Sequence, residues 1–214
     1  NQAHAPFELR YGAEFSEDEP LYKRLVHSIH AAAMLGAEQI IVHAINVPEG
    51  VDLVEYNRGY YLTLKKYAEK YGIKIAVENL FSHDAEGNFT PVLGNPQILS
   101  DMVLSLGLDC FCACIDIGHA ALNGFAPQDF IRGMKPEALG ALHIQDGDGK
   151  GDRHVMPYIG DFKWSEIIAA LKEIGYKGVL SSEACAMGGS KMPPHLKKMF
   201  LEFEAETMKY LASL

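Results

Sequence analysis

From Gln39 to the C-terminus, short β-rich apolar runs alternate with helix-periodic stretches, and each run ends on a residue able to bind a metal. Gln39–Ala44, Ile73–Asn79, Phe111–Ile117, Leu139–Gln145 and Gly178–Ala184 read as strands. His43, Glu78, Asp116, His143 and Glu183 stand at their C-terminal ends. The stretches between them fit helices. Leu21, Leu25, Ile29 and Ala32 form one apolar stripe from about Glu17 to Leu35, with Gly36 as C-cap. A second stripe runs from Leu53 to Tyr71 and stops at Gly72. Asn95-Pro96 opens a third helix, helix-compatible sequence leads toward Met134, and Trp164–Ile174 and His195–Leu214 supply the rest.

Strands that alternate with helices imply right-handed crossovers and a parallel sheet. Two closures satisfy that pattern, a (β/α)8 barrel and an open doubly wound sheet. A chain of 214 residues with 48% hydrophobic content is long enough for one core. It is short for a barrel of typically ~250 residues. Five clear strands and a stub ending near His4 therefore predict one domain over residues 1–214, with the first one or two βα units of the barrel outside the sequence.

Period two puts Ala76 on the same strand face as Glu78, and Cys110, Cys112 and Cys114 on the face of Asp116. Small residues thus underlie each carboxylate. Glu78, Asp116, Asp152 and Glu183 in one cleft would repel one another unless cations neutralised them. Mixed nitrogen and oxygen donors suit Mn²⁺, Zn²⁺, Co²⁺ or Mg²⁺. The net charge of −9 argues against an extended nucleic-acid surface. No apolar run spans a bilayer, and the cysteine spacing is not that of a secreted framework, which predicts a cytoplasmic protein. The alternating cysteines predict barrel-interior packing, and Cys185 is expected to face away from Glu183. His27 and His30 are expected on a helix surface and Trp164 in packing. His83, in a polar loop, is a minor candidate for substrate contact.

At these positions the chain resembles the xylose-isomerase-like TIM barrels, a superfamily of sugar isomerases and epimerases that also holds endonuclease IV. The matching pieces are H-A-P-F at His4, V-H-A at His43, V-E-N at Glu78, D-I-G-H at Asp116, H-I-Q-D at His143, D-R-H-V-M-P-Y-I-G from Asp152 and S-E at Glu183. For the epimerase branch the resemblance implies one divalent ion held by Glu78, Asp116, His143 and Glu183. Glu78 and Glu183 would transfer protons through a metal-stabilised enediolate, while His119, Arg153, His43 and His4 contact a sugar substrate. Asp152 and His154 would be additional ligands or supporting groups. For the endonuclease IV branch it implies a multinuclear zinc site built by His4, His43, Glu78, Asp116, His119, His143, Asp152, His154 and Glu183, cleaving abasic DNA. No basic, aromatic-rich insertion for gripping a bent duplex is visible, which favours the sugar enzyme. The partners expected are a small sugar, no membrane and no nucleic acid, with room for a homo-oligomer.

Overall fold

The computed structural model describes residues 2–7, 9–184 and 191–214. Five parallel strands form one sheet in the order β1, β2, β3, β6, β7. They are β1 (Gln2–His4), β2 (Gln39–Val42), β3 (Lys74–Glu78), β6 (Phe111–Asp116) and β7 (Leu139–His143). A sixth member joins by a parallel bridge between Ile144 and Ser182. The sheet is curled, because Gln39 on β2 donates across its concave side to the Gly140 carbonyl on β7, 2.9 Å away. Gln2 on β1 likewise reaches the Leu142 carbonyl at 3.1 Å. This is the curled half of a (β/α) barrel, not an open doubly wound sheet.

The curl divides the apolar residues in two. Ile41, Ala76, Cys112, Cys114 and Ala141 form a small cluster of their own inside the barrel. The larger core lies between the sheet and the helices, with Leu25, Ile29, Leu64, Leu99, Phe130 and Ile167 buried there. Each fully buried side chain of this kind contributes about 1.5–3 kcal/mol of transfer free energy. Ile40, Ile75, Val77 and Ile115 face the helices, while Ala76, Cys112, Cys114 and Ala141 fit the narrower interior beside Ile41. Cys110, expected in the interior with Cys112 and Cys114, packs instead in the larger core.

The helices are α1 (Pro20–Met34), α2 (Leu53–Tyr71), α3 (Pro96–Leu106), α4 (Ile117–Leu122), α5 (Pro127–Gly133), α6 (Trp164–Glu173) and α7 (Pro194–Ser213). Asn95 caps α3 by accepting from the Gln97 and Ile98 amides. Gly72 ends α2 at φ 65°, a conformation that penalises other residues. No helix among the described residues is long and apolar enough to cross a membrane.

Three elements depart from the sequence reading. The stretch toward Met134 is two helices, broken at Gly124 (φ 83°) and restarted by Pro127. Leu80–His83 (β4) and Phe89–Val92 (β5) form an antiparallel hairpin after β3. Its turn is tied by Asp84, which accepts from the Glu86 and Asn88 amides. Gly178–Ala184 pairs only through the Ser182 bridge, so its hydrogen bonds reduce to Ile144 N to Ser181 O and Glu183 N to Ile144 O. Cys185 lies outside the described residues.

Candidate metal centre

The period-two pattern delivers the site. Ile41, Ala76, Cys114 and Ala141 point into the barrel, so His43, Glu78, Asp116 and His143, each two residues on, open at its C-terminal mouth. Asp116 and His143 are direct partners across β6 and β7. Three loops complete the cluster. His4 arrives at the end of β1, His119 from the first turn of α4, and Asp152 and His154 from the segment after β7. The Asp116 carboxylate caps α4 by accepting from the His119 amide at 2.7 Å, which fixes the D-I-G-H turn.

Glu78 is the hub. Its Oε1 lies 3.0 Å from His143 Nδ1 and 3.4 Å from His119 Nδ1. Its Oε2 lies 3.0 Å from His43 Nε2 and 3.8 Å from His4 Nε2. His143 Nδ1 is also 3.1 Å from Glu183 Oε2. On the far side, Asp152 Oδ1 stands 3.0 Å from His154 Nε2 and 3.6 Å from His119 Nε2. Four sets of donor atoms lie within 4.8 Å of one another: His4, His43 and Glu78; Glu78, Asp116, His143 and Glu183; His119, Asp152 and His154; and His4, His143 and Glu183.

Charge and burial set the protonation states. Burial opposes ionisation of Glu78, yet His143, His119 and His4 hold its carboxyl well below the usual range. Burial likewise opposes Glu183, and His143 outweighs it, so its carboxyl is also held down. Asp116 goes the other way: burial, aided by Glu78 and Glu183, pushes it up to about 7. Burial works against the imidazolium of His119, but Asp116, Asp152 and Glu78 raise it to about 12. The Asp152 hydrogen bond lifts His154 to about 9.

This donor set fits a divalent cation. Glu78 Oε2 and Glu183 Oε2 are buried with no hydrogen-bond partner, although imidazole nitrogens approach them at 3.0 and 3.1 Å. Nitrogen and oxygen atoms that converge without aligning as donor and acceptor are arranged as ligands around a shared point. Two buried orphan carboxylate oxygens are costly by themselves, and a cation would satisfy both.

Above the cluster lies a cavity of about 660 Å³, walled by Phe7, Arg10, Asn46, Tyr60, Leu80, Phe81 and Val92. His4, His43, Glu78, His119, Asp152, His154 and Glu183 all line it. Asp116 and His143 are buried and are not among its walls.

Arg153 is the predicted site residue that the structure keeps apart. Its Nη1 pairs with Asp148 Oδ2 at 2.8 Å, and it lines a separate small depression with Gly147 and Asp161. Asp152 and His154 turn inward on either side, which leaves the residue between them facing out. His83 does not line the cavity and packs instead against Phe81 and Phe89. Trp164 is buried, its Nε1 donating to Asp146 at 2.8 Å. His27 and His30 are exposed on α1. Burial raises the Cys112 and Cys114 thiols, Cys112 to about 12, which leaves them as neutral packing groups.

Several site residues escaped the sequence reading. Gln145 bonds Asp116, and Asn79 clamps the Asp116 backbone in both directions, accepting from its amide at 2.7 Å and donating to its carbonyl at 3.0 Å. Gln145 was accessible in principle, because it stands two residues after His143 and so shares its face. Phe7, Arg10 and Asn46 lie in loops, where no periodicity points to the cavity.

Known proteins agree with this geometry. A family model described as xylose isomerase-like TIM barrel matches residues 3–201. An uncharacterized protein of Methanocaldococcus jannaschii is 30% identical over 215 aligned positions, covering 95% of this chain and 70% of the relative. A D-tagatose 3-epimerase-like protein has a similar structure, with TM-score 0.68 and 26% identity over 98% of this chain and 78% of its own. The IolI protein, solved with a bound zinc atom, gives TM-score 0.67 at 20% identity over 99% of this chain and 74% of its own. A D-psicose 3-epimerase solved with D-fructose gives 0.65 at 17% over 99% and 76%. The family-model match over nearly all of the sequence shows that this chain belongs to the xylose isomerase-like TIM barrel family.

Proposed function

We propose that this protein is a divalent-metal-dependent isomerase or epimerase of a sugar or sugar derivative, with residues 1–214 contributing one barrel domain. The observation that carries the reading is His143 Nδ1 held between Glu78 at 3.0 Å and Glu183 at 3.1 Å, two carboxylates that line a cavity of sugar-accommodating size. Glu78, Asp116, His143 and Glu183 would hold the cation. When bound, it would polarise a carbonyl and its neighbouring hydroxyl and so acidify the adjacent C–H.

The residues then have separate tasks. One glutamate takes the proton from that carbon, leaving an enediolate. The other returns a proton to the opposite face or to the adjacent carbon. Glu78 and Glu183 are both held ionised, so either can act as the base, and the other returns a proton only after taking one from a substrate hydroxyl or solvent. The Glu183 side chain is 26% exposed against 1% for Glu78, so Glu183 has the more open approach to substrate. His119 and His43, both in the cavity wall, are placed to steady substrate oxygens. The structural neighbours named as sugar epimerases support this class. Glu183→Gln tests it: metal retention should weaken and turnover should be lost, and a variant that kept both would remove the assignment.

A second reading has its own observation. Nine residues make up the candidate ligand groups of this cluster, three of which cover all nine: His4, His43 and Glu78; Glu78, Asp116, His143 and Glu183; His119, Asp152 and His154. That is the residue set the endonuclease IV resemblance implies for a multinuclear zinc site cleaving abasic DNA. Phosphate contacts dominate DNA affinity and make it fall steeply with salt. Among the described residues Arg10 is the single Lys or Arg in the cavity wall, which is poor provision for a duplex backbone. Salt-sensitive incision of an abasic duplex would favour this reading.

A further inference from the structure

Arg10 is the one feature of the cavity that the isomerase chemistry does not use. Its Nη1 donates to the Phe7 and Leu9 carbonyls at 3.2 and 3.3 Å. No carboxylate pairs with it among the described residues. The imidazoles in the wall already have carboxylate partners. His4 and His43 face Glu78, His119 faces Glu78 and Asp152, and His154 faces Asp152.

The loop that carries Arg10 is held in place. Ala5 and Leu9 are buried, the Ala13 amide donates to the Arg10 carbonyl, and the Gly12 amide donates to the Tyr56 hydroxyl. Phe7, 60% exposed, lies against the His43 ring at 4.8 Å and 20°. One short loop thus offers an open aromatic face and a guanidinium with no carboxylate partner among the described residues, beside the candidate cation site.

We propose that Arg10, with Phe7 beside it, recognises an anionic group, phosphate or carboxylate, on the sugar that this site converts. The proposal rests on the isomerase reading and narrows its substrate class. Glu78, Asp152 and Glu183 line the same cavity, so a negative substrate needs a cation those carboxylates do not consume. The planar fork of Arg suits phosphate and carboxylate geometry, and charge-assisted bonds of this kind are strong where water is partly excluded. A free ketose offers that fork only neutral oxygens and no paired anionic ones.

Calorimetric binding to the metal-loaded protein tests this without requiring turnover. D-fructose, D-fructose 6-phosphate and D-glucuronate would be titrated into the wild type, R10K and R10M. The wild type should bind at least one anionic sugar about tenfold or more tighter than D-fructose, and the two anionic arms separate phosphate from carboxylate. R10M should abolish that preference with D-fructose affinity within about twofold of wild type, and R10K should keep part of it. Unchanged binding of the anionic sugars by R10M would overturn the proposal. So would an equal loss for D-fructose, the mark of a loop clip, or a wild type with no anion preference. Turnover followed in the same samples reports separately on the isomerase reading. Anion-selective binding without sugar conversion leaves Arg10 assigned and removes that reading.

Discussion

The side-chain amide of Gln145 stands 3.0 Å from both carboxylate oxygens of Asp116. Its other end accepts from the His154 amide at 2.9 Å, which fixes the orientation of the group. One neutral residue therefore joins a ligand of the central group to the loop bearing Asp152 and His154.

Gln145→Leu should preserve the fold and weaken metal retention by about 10–100-fold, the usual cost of losing a group that orients a ligand. Gly118→Ala should do the same from the other side. A Cβ there would sit 2.7 Å from Gln145 Cδ and 2.8 Å from its Oε1, and a buried amide bonded at both ends cannot yield cheaply. Metal analysis after dialysis against a weak chelator measures both. Wild-type retention in the two variants would remove Gln145 from the site.

The candidate ligands Glu78, Asp116 and His143 were legible because strand period is two and each follows a small interior residue, Ala76, Cys114 and Ala141. The alternation gave a parallel α/β sheet, and the strand-end series with the family resemblance chose the barrel over the open sheet. Arg153 was named by resemblance, and the residues alone could not show its direction: the positive φ of His154 (44°) and the Asp148 pairing accompany its turn away from the cavity. The β4–β5 hairpin was hidden by Pro91 and the polar Asp84–Asn88 turn, which read as loop. The last strand was over-read because its apolar run, Gly178–Leu180, is not paired in a ladder.

Metal loading should expel protons. Without a cation, burial opposes the His143 imidazolium but Glu78 and Glu183 hold it protonated, and burial pushes Asp116 up to about 7. Around neutral pH, His143 and part of the Asp116 population therefore carry protons that must leave when the two act as ligands. Calorimetry in buffers of different ionisation enthalpy should show release of more than about one proton per protein at roughly pH 7. Apparent affinity should rise with pH. The metal-free fold has the opposite dependence. Because the folded value of His154 exceeds the ordinary 6.5, its stabilising contribution is complete below that pH and disappears as pH rises through about 9. Proton-neutral loading would contradict the ligand role of His143 and Asp116.

Asp146 should prove structural. It is fully buried and accepts from the Gly147, Tyr158 and Phe162 amides and from Trp164 Nε1. It thereby anchors both ends of the loop that carries Asp152 and His154. Asp146→Ala orphans four donors and should cost about 3–5 kcal/mol, lowering the melting temperature by about 10 °C. Thermal unfolding checks this. A shift of less than about 3 °C would mean that the loop is held by other contacts.

The central claim is proton transfer on a sugar at the strand-end cluster. Its most direct measurement is incubation of the Mn²⁺-supplemented protein with a panel of ketoses and aldoses, neutral and anionic, in buffered D₂O. Deuterium position and product are followed together by NMR, because a hydride shift would form product without exchange. The account predicts deuterium entering the carbon beside the carbonyl, loss of that signal in Glu183→Gln, and no cleavage of an abasic-site duplex by the same preparation. Salt-sensitive incision of the duplex, with no sugar converted and no deuterium incorporated, would contradict it.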